Sequence, residues 1–230
     1  MTAATILTAP GGVAWPPQME PDAVEIRVLG CLIEKQRTTP DVYPLTLNAL
    51  RLACNQSTNR DPVVDYDENT IRGAIDRLVQ RKWATLASWS NRRSMKYRHT
   101  FEGALGLDDG EIAVLDVLML RGAQTPGELK ARTERLHRFA GMDELGDTLE
   151  RLIERQLAAR LGRQPGQREE RYMHLLGGED APEAATRAAA AAAPPAPAAI
   201  DSFDERLARL ERQVADLRTE LQRLREQRPG

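Results

Sequence analysis

Apolar residues recur every three or four positions along much of this chain, and that spacing predicts short amphipathic helices. Val24, Val28, Cys31 and Leu32 share one face of a helix opened by Pro21 and Asp22 and running to about Gln36. Leu45, Leu47, Leu50 and Leu52 mark a second helix ending near Cys54. Ile71, Ile75, Leu78 and Val79 mark a third, beginning near Asp67. The pattern then changes. Ala84–Trp89 and Met95–Thr100 read as two strands joined by a polar turn over 90–94.

The same order returns. Asp108 caps a helix, Glu111 stands at its third position, and Leu107 with Ile112 makes a hydrophobic staple. Thr125-Pro126-Gly127-Glu128 is a capping box with proline at the first helical position. A further helix is predicted from about Asp143 to Gln156, then strands at Leu157–Leu161 and Arg171–Leu175 around a QPGQ turn. The return is visible in the residues themselves. Glu25–Pro40 matches Glu111–Pro126 at seven of sixteen positions with an offset of 86, and Ile71–Ala87 aligns with Leu145–Leu161 at an offset of 74. The difference is assigned to a longer connection before the third helix of the first copy. An internal repeat decides architecture before other signals do.

Three helices followed by a hairpin is the winged-helix order, a helix-turn-helix with a hairpin attached. The predicted fold class is therefore mainly α with small β-hairpins (α+β): tandem winged-helix domains over 21–101 and 107–176. Residues 1–20 have no basic leader and are broken by glycine and proline, so they read as a disordered extension. Residues 177–199 are rich in Ala and Pro and lack large apolar residues, which makes them a linker. From Ile200 the spacing tightens. Ile200, Leu207, Val214 and Leu221 alternate with Phe203, Leu210, Leu217 and Leu224 as a and d positions, predicting a coiled-coil helix over 200–228. In a parallel homodimer Arg206 meets Glu211 and Glu220 meets Arg225. A lone amphipathic helix folding back on the domains is the other reading of the stripe.

Charge separates the two copies. The whole chain is at −2 with pI near 6.0, so no global basic field draws it to nucleic acid. Residues 22–101 carry thirteen Lys/Arg against nine Asp/Glu, net +4, whereas 108–176 carry eleven against thirteen, net −2. Cys31 and Cys54 sit in apolar helical stretches without metal-ligand spacing. They read as buried structural thiols of a cytoplasmic protein. No apolar run reaches membrane-spanning length, so no membrane partner is expected.

The runs VLGCLIEKQRTTPDVYPLTLNAL (28–50), ACNQSTNRDPV (53–63), LMLRGAQTPGEL (118–129) and RYMHL (171–175) resemble the YceH-like family of bacterial proteins. The likeness covers roughly Asp22 to Leu176. It implies tandem winged helices and a C-terminal coiled coil, and it implies no established activity, substrate or catalytic residue.

No arrangement resembles a catalytic, cofactor or metal site. His99, His137 and His174 lie in different elements, and the repeat explains the recurrence of His99 and His174. Asp67-Glu68 and Asp143-Glu144 sit at helix starts, where acids cap and oppose the dipole. A non-enzymatic protein is expected. The fold's common use is binding double-stranded DNA, with the N-terminal residues of the third helix on base edges. The candidate contacts are Asn69 and Arg72 on that helix and Arg92, Arg93, Lys96 and Arg98 on the wing, where 89–98 hold four cations and two aromatics. The polar loop 55–60 could add donors. Lys130, Arg132, Arg135 and Arg138 are expected to pair with the acidic third helix of the second copy. That helix, with Asp143, Glu144, Asp147, Glu150 and Glu154, would repel phosphate and is a candidate surface for a protein partner. A regulatory DNA-binding protein and a protein-docking module are thus both open readings.

Overall fold

The computed structural model describes residues 8–9, 13–14, 20–87, 95–162 and 169–177. The expected linker from 178 onward, the coiled-coil segment 200–228, and Arg92 and Arg93 lie outside the described residues. The fold is mixed, with short helices and small antiparallel sheets. Thr8–Ala9 (β1) pairs antiparallel with Val13–Ala14 (β2). These strands lie within the stretch expected to lack structure, flanking a Pro-Gly-Gly sequence of turn-forming composition.

The first copy consists of α1 (Ala23–Thr38), a 3-10 turn (Pro40–Val42), β3 (Leu45–Thr46), α2 (Leu47–Cys54), α3 (Glu68–Gln80) and the hairpin strands β4 (Ala84–Ala87) and β5 (Lys96–His99). β5 is the middle strand of the order β3-β5-β4. The short α4 (Phe101–Leu105) leads out, ending at Gly106 with φ +61°, a left-handed turn that glycine takes without strain. The second copy consists of α5 (Asp109–Arg121), α6 (Pro126–Thr133), α7 (Met142–Glu154), β6 (Ala158–Leu161) and β7 (Arg171–His174). Here Gln124 replaces β3. It exchanges backbone hydrogen bonds with Tyr172 in both directions, at 3.0 and 2.8 Å.

Helix starts follow the sequence. Asp22 and Glu25 form a capping box on α1, Asp108 and Glu111 on α5, and Thr125 and Glu128 on α6. Asp67 caps α3 by accepting from the Thr70 amide at 2.7 Å. The capped positions also locate the length difference between the copies. The N-caps of α1 and α5 (Asp22, Asp108) are 86 apart, those of α2 and α6 (Thr46, Thr125) 79, and those of α3 and α7 (Asp67, Gly141) 74. Of the twelve extra residues, three therefore lengthen α1, four lie between α1 and α2 and five before α3, not all twelve before α3 as the sequence suggested. Both copies read Thr-Pro, but Pro126 opens α6 whereas Pro40 opens the 3-10 turn, and α2 starts later at Thr46. Leu45 accordingly belongs to β3. Leu52, expected on the apolar face of α2, is 55% exposed because the buried face runs through Leu50, Ala53 and Cys54.

A second duplication appears only in three dimensions. Glu25, on α1, is almost fully buried and accepts from Arg81 Nε at 2.8 Å and Arg77 Nε at 3.1 Å, while Arg77 also reaches Asp22 at 2.6 Å. In the other copy Glu111 meets Arg155 at 2.9 Å and Arg151 at 3.5 Å, and Arg151 reaches Asp108 at 2.9 Å. Each clamp ties the start of a copy's first helix to the end of its third. Arg81 further donates to the carbonyl of Glu20, and Arg155 to that of Gly106, again 86 residues apart.

The copies meet through α1 and α5, which is why both are buried on every side: Glu25 to Ile33 in one and Gly110 to Leu120 in the other. Gly30 sits at the seam, where an added Cβ would lie 2.8 Å from Leu120 Cδ2 and 3.4 Å from Asp116 Oδ1. The five-residue excess before α3 reinforces this seam. Asn55 closes the base of the 55–66 connection through its side chain, accepting from the Tyr66 amide at 2.9 Å and donating to the Tyr66 carbonyl at 2.8 Å. The Asp61 amide then donates to the Leu120 carbonyl at the end of α5, at 2.9 Å, and Arg121 donates to Asn59 Oδ1.

Arg60 holds this connection in shape. Its side chain is fully buried, and all five guanidinium N–H groups have acceptors: Ala53 O (3.1 Å), Asn59 O (2.8 Å), Gln56 Oε1 (3.0 Å) and the two carboxylate oxygens of Glu34 (3.1 and 2.7 Å). Arg27 adds bonds to Cys54 O at 3.3 Å and Pro62 O at 2.7 Å. Cys31 and Cys54 are free, buried thiols beside this network. The Cys54 thiol is pushed well above its ordinary value by its hydrogen bond with Cys31 and by burial. Asp116 is buried with Oδ1 unpartnered among the described residues. Burial, then the nearby Glu34 and Cys31, push its carboxyl well above the usual range.

Candidate nucleic-acid interface

The third helix of the first copy offers one open face. Ile71, Ala74, Ile75 and Leu78 turn inward, while Glu68, Asn69, Arg72 and Asp76 are exposed. Asn69 and Arg72, three residues apart, share that face. Arg72 is engaged by Glu68 at 2.7 Å in an exposed i,i+4 pair. Such a pair is worth about 0.3–0.5 kcal/mol, so it yields easily to a stronger anion. Arg77 and Arg81 on the same helix are committed to Glu25 and Asp22.

The hairpin places its cations by strand alternation. Lys96 pairs with Ala87 and Thr46, and Arg98 with Thr85, so both side chains stand on one face of the sheet. Arg98 is exposed and Lys96 partly so. Tyr97, with Leu45 and Leu86 opposite it, is on the other face, and it is this face that lies within electrostatic reach of Arg72 and Asp76. The candidate residues thus fall in two groups: Asn69 with Arg72 on α3, and Lys96 with Arg98 on the far side of the hairpin. Leu86 and Met95 are exposed near the hairpin tip, and Val42, Leu52 and Val63 are exposed elsewhere in the first copy.

The polar loop 55–60 is mostly consumed inside the protein. Asn55, Gln56, Asn59 and Arg60 all bond to the chain itself, which leaves Ser57 and Thr58 open to solvent. In the second copy the acids of α7 are exposed as expected. The cations of α6 do not pair with them. Arg132 meets Glu128 at 3.5 Å and Arg138 meets Glu134 at 3.0 Å, because i,i+4 partners on the same stretch lie nearer than α7 does. Among the described residues no three of His, Cys, Asp and Glu are grouped as a metal site requires. No helix there is long and apolar enough to cross a membrane.

Comparison with known proteins decides the family. A family model described as "Protein of unknown function, DUF480" matches residues 22–167, both copies up to the return strand of the second hairpin. A "UPF0502 protein" of Pelobacter propionicus is 48% identical over 203 residues, covering 87% of this chain and 91% of the relative. The "UPF0502 protein YceH" of Escherichia fergusonii is 42% identical over 209 residues, covering 88% and 94%. The chain belongs to the UPF0502 (YceH) family. A relative in Stenotrophomonas maltophilia, "UPF0502 protein Smlt0097", is 46% identical with 89% and 94% covered. The likeness to UPF0502 proteins therefore extends over nearly the whole length of each relative.

Sequence reasoning missed the residues that organise this UPF0502 surface. Arg60, Glu25 and Glu111 read as loop and helix-start charges. Only the near-identity of their surroundings in the two copies, Asp22 and Glu25 against Asp108 and Glu111, carried a signal of the clamps.

Proposed function

We propose that this protein is a tandem winged-helix, DNA-binding protein of regulatory role. It contacts double-stranded DNA through the first copy and dimerises in the cytoplasm through the heptad segment 200–228. The supporting observation is the twice-built unit of three helices and a hairpin, with the outward face of α3 carrying Asn69 and Arg72 unobstructed in the copy of net charge +4. In this reading α3 enters the major groove, Arg72 exchanges Glu68 for a base edge or phosphate, and Arg92, Arg93, Lys96 and Arg98 follow the adjoining backbone. The coiled coil sets two such units on one duplex and raises avidity. A mixed-sequence duplex titrated at low and moderate salt tests the reading, with wild type beside an Arg92→Ala/Arg93→Ala/Lys96→Ala variant. Binding with a steep salt dependence that the variant loses supports it. No binding by wild type at low salt removes it. Light scattering on the full chain and on a chain ended at Ala199 tests the dimer, and an unchanged mass per particle refutes it.

A second reading, a protein-docking module, is favoured by the acidic face of α7, where Asp143, Glu144, Asp147, Glu150 and Glu154 are all exposed. Retention of a basic protein partner by wild type, lost on Asp143→Asn/Asp147→Asn while DNA binding is absent, supports this alternative.

A further inference from the structure

The second copy is acidic in sum, but its charge is unevenly placed. The carboxylates line α7, whereas the corner between α5 and α6 is cationic. Two arginines share a single carboxylate there, and a third, Arg121, stands at the end of α5. Glu128 accepts from Arg171 at 3.1 Å and Arg132 at 3.5 Å, and it also accepts from the Thr125 amide at 2.9 Å in its capping box. Arg121, at the end of α5, has no carboxylate within ion-pair distance among the described residues. Its guanidinium donates to the side chain of Asn59 on the first copy's loop. Burial first, then the Arg132 charge, hold Arg121 below its ordinary value, against the opposing pull of the more distant Glu34 and Asp116. Beside Asn59 on that loop, Ser57 and Thr58 present hydroxyls to solvent.

Arg171 and Arg132 share one carboxylate and Arg121 has none within ion-pair distance among the described residues, a local excess that an anion relieves. Guanidinium forks flanked by hydroxyls suit the oxygens of a phosphodiester. The position fits a backbone contact rather than a base contact. The corner includes α6, the first helix of the helix-turn-helix made with α7, and the first helix of such a motif crosses the DNA backbone. The acidic α7 meanwhile keeps the second copy out of the groove. We propose that Arg121 and Arg132, with Ser57 and Thr58 from the neighbouring copy, form a phosphate anchor for one strand of duplex DNA. The second copy then fixes position without reading sequence, and base contact belongs to the first. The proposal rests on the DNA-binding reading given above and adds a second, independent contact surface.

The test is anisotropy of a labelled mixed-sequence duplex over a salt series. It uses the full chain, an Arg121→Gln/Arg132→Gln variant, a charge-keeping Arg121→Lys/Arg132→Lys variant, a hairpin Lys96→Ala/Arg98→Ala variant and an Arg138→Ala control. The Gln pair is expected to weaken binding at least tenfold at moderate salt. It should make the slope of log affinity on log salt shallower by about 2, roughly one per arginine removed. The Lys pair should keep most of the slope, and the control should match wild type. Millimolar inorganic phosphate should compete poorly, because one phosphate cannot span the site and the α3 face together; equal competition by free phosphate overturns the duplex assignment. Loss in the hairpin variant with no change in the Gln pair overturns the anchor and leaves the first-copy reading standing. Loss in the Gln pair with none in the hairpin variant supports the anchor and removes the hairpin contact. Absence of binding by wild type overturns both.

Discussion

Replacing Arg60 by Met deletes five satisfied donors at the centre of the 55–66 connection while keeping a long apolar stem. The substitution strands the Glu34 carboxylate, which is only 16% exposed, and frees the carbonyls of Ala53 and Asn59. Removing one partner of a buried ion pair costs about 3–5 kcal/mol. Glu34 keeps Lys35 at 3.2 Å as a second partner, so the lower end applies, about 3 kcal/mol. At roughly 2–4 °C per kcal/mol for a chain of this size, the midpoint should fall by about 6–12 °C. The loss should depend on pH with a definite sign. In the wild type the Arg60 hydrogen bond and charge outweigh burial and hold Glu34 below its ordinary value. That pair therefore contributes fully above the unfolded carboxylate range, and its contribution is lost as pH falls through the folded value. In the variant, burial is unopposed by Arg60 and the carboxyl rises. The difference between the proteins should be largest near pH 7 and shrink as the pH falls through the carboxylate range and Glu34 is neutralised. Urea denaturation at pH 7 and at pH 4 measures both parts. Hydrogen exchange at the Asp61 amide, bonded to Leu120, reports whether the seam loosens with the loop. A destabilisation under 1 kcal/mol, or one equal at both pH values, would refute the assignment of Arg60 as the organiser of this connection.

Glu25→Gln and Glu111→Gln should each destabilise by about 2–3 kcal/mol in chemical denaturation, since each leaves two arginines on one neutral amide while a solvent-reachable partner softens the loss. Matching effects are expected from the matching geometry, and a silent Glu111 would show that the second clamp is ornamental. His99 and His174 are buried, and burial lowers both from the ordinary value near 6.5 to about 4, with Arg37 and Arg98 adding to the effect at His99. Because the unfolded chain takes up these protons first, stability should fall as pH drops from about 6.5 to 4, by up to ~3 kcal/mol per histidine. His174→Phe should flatten that decline, and an unaltered pH profile would count against the buried neutral state.

The elements were legible because their signals are local. Asp108 with Glu111 and Thr125 with Glu128 announce helix starts within four residues, and the apolar spacing names the inward faces of α3 and α7. What escaped depends on separation in sequence. Glu25 meets Arg77 and Arg81 more than fifty positions away, and Arg60 meets Glu34 twenty-six positions away, so each charge taken alone reads as surface. The shared Thr-Pro does not tell which element follows: Pro126 opens α6, whereas Pro40 opens a 3-10 turn. The candidate contacts on α3 followed from helical periodicity. Their separation from Lys96 and Arg98 followed from strand register, which only the pairing of β3 and β4 with β5 reveals.

The connection bearing Arg60 divides its bonds between the two copies. The loop is closed by Asn55 and Arg60 inside its own copy, and its Asp61 amide and Asn59 side chain also dock on the adjoining repeat. The duplicated clamps, by contrast, work inside a single unit and are preserved in both. The clamps thus fasten each copy to itself, while the longer connection of the first fastens the copies to each other.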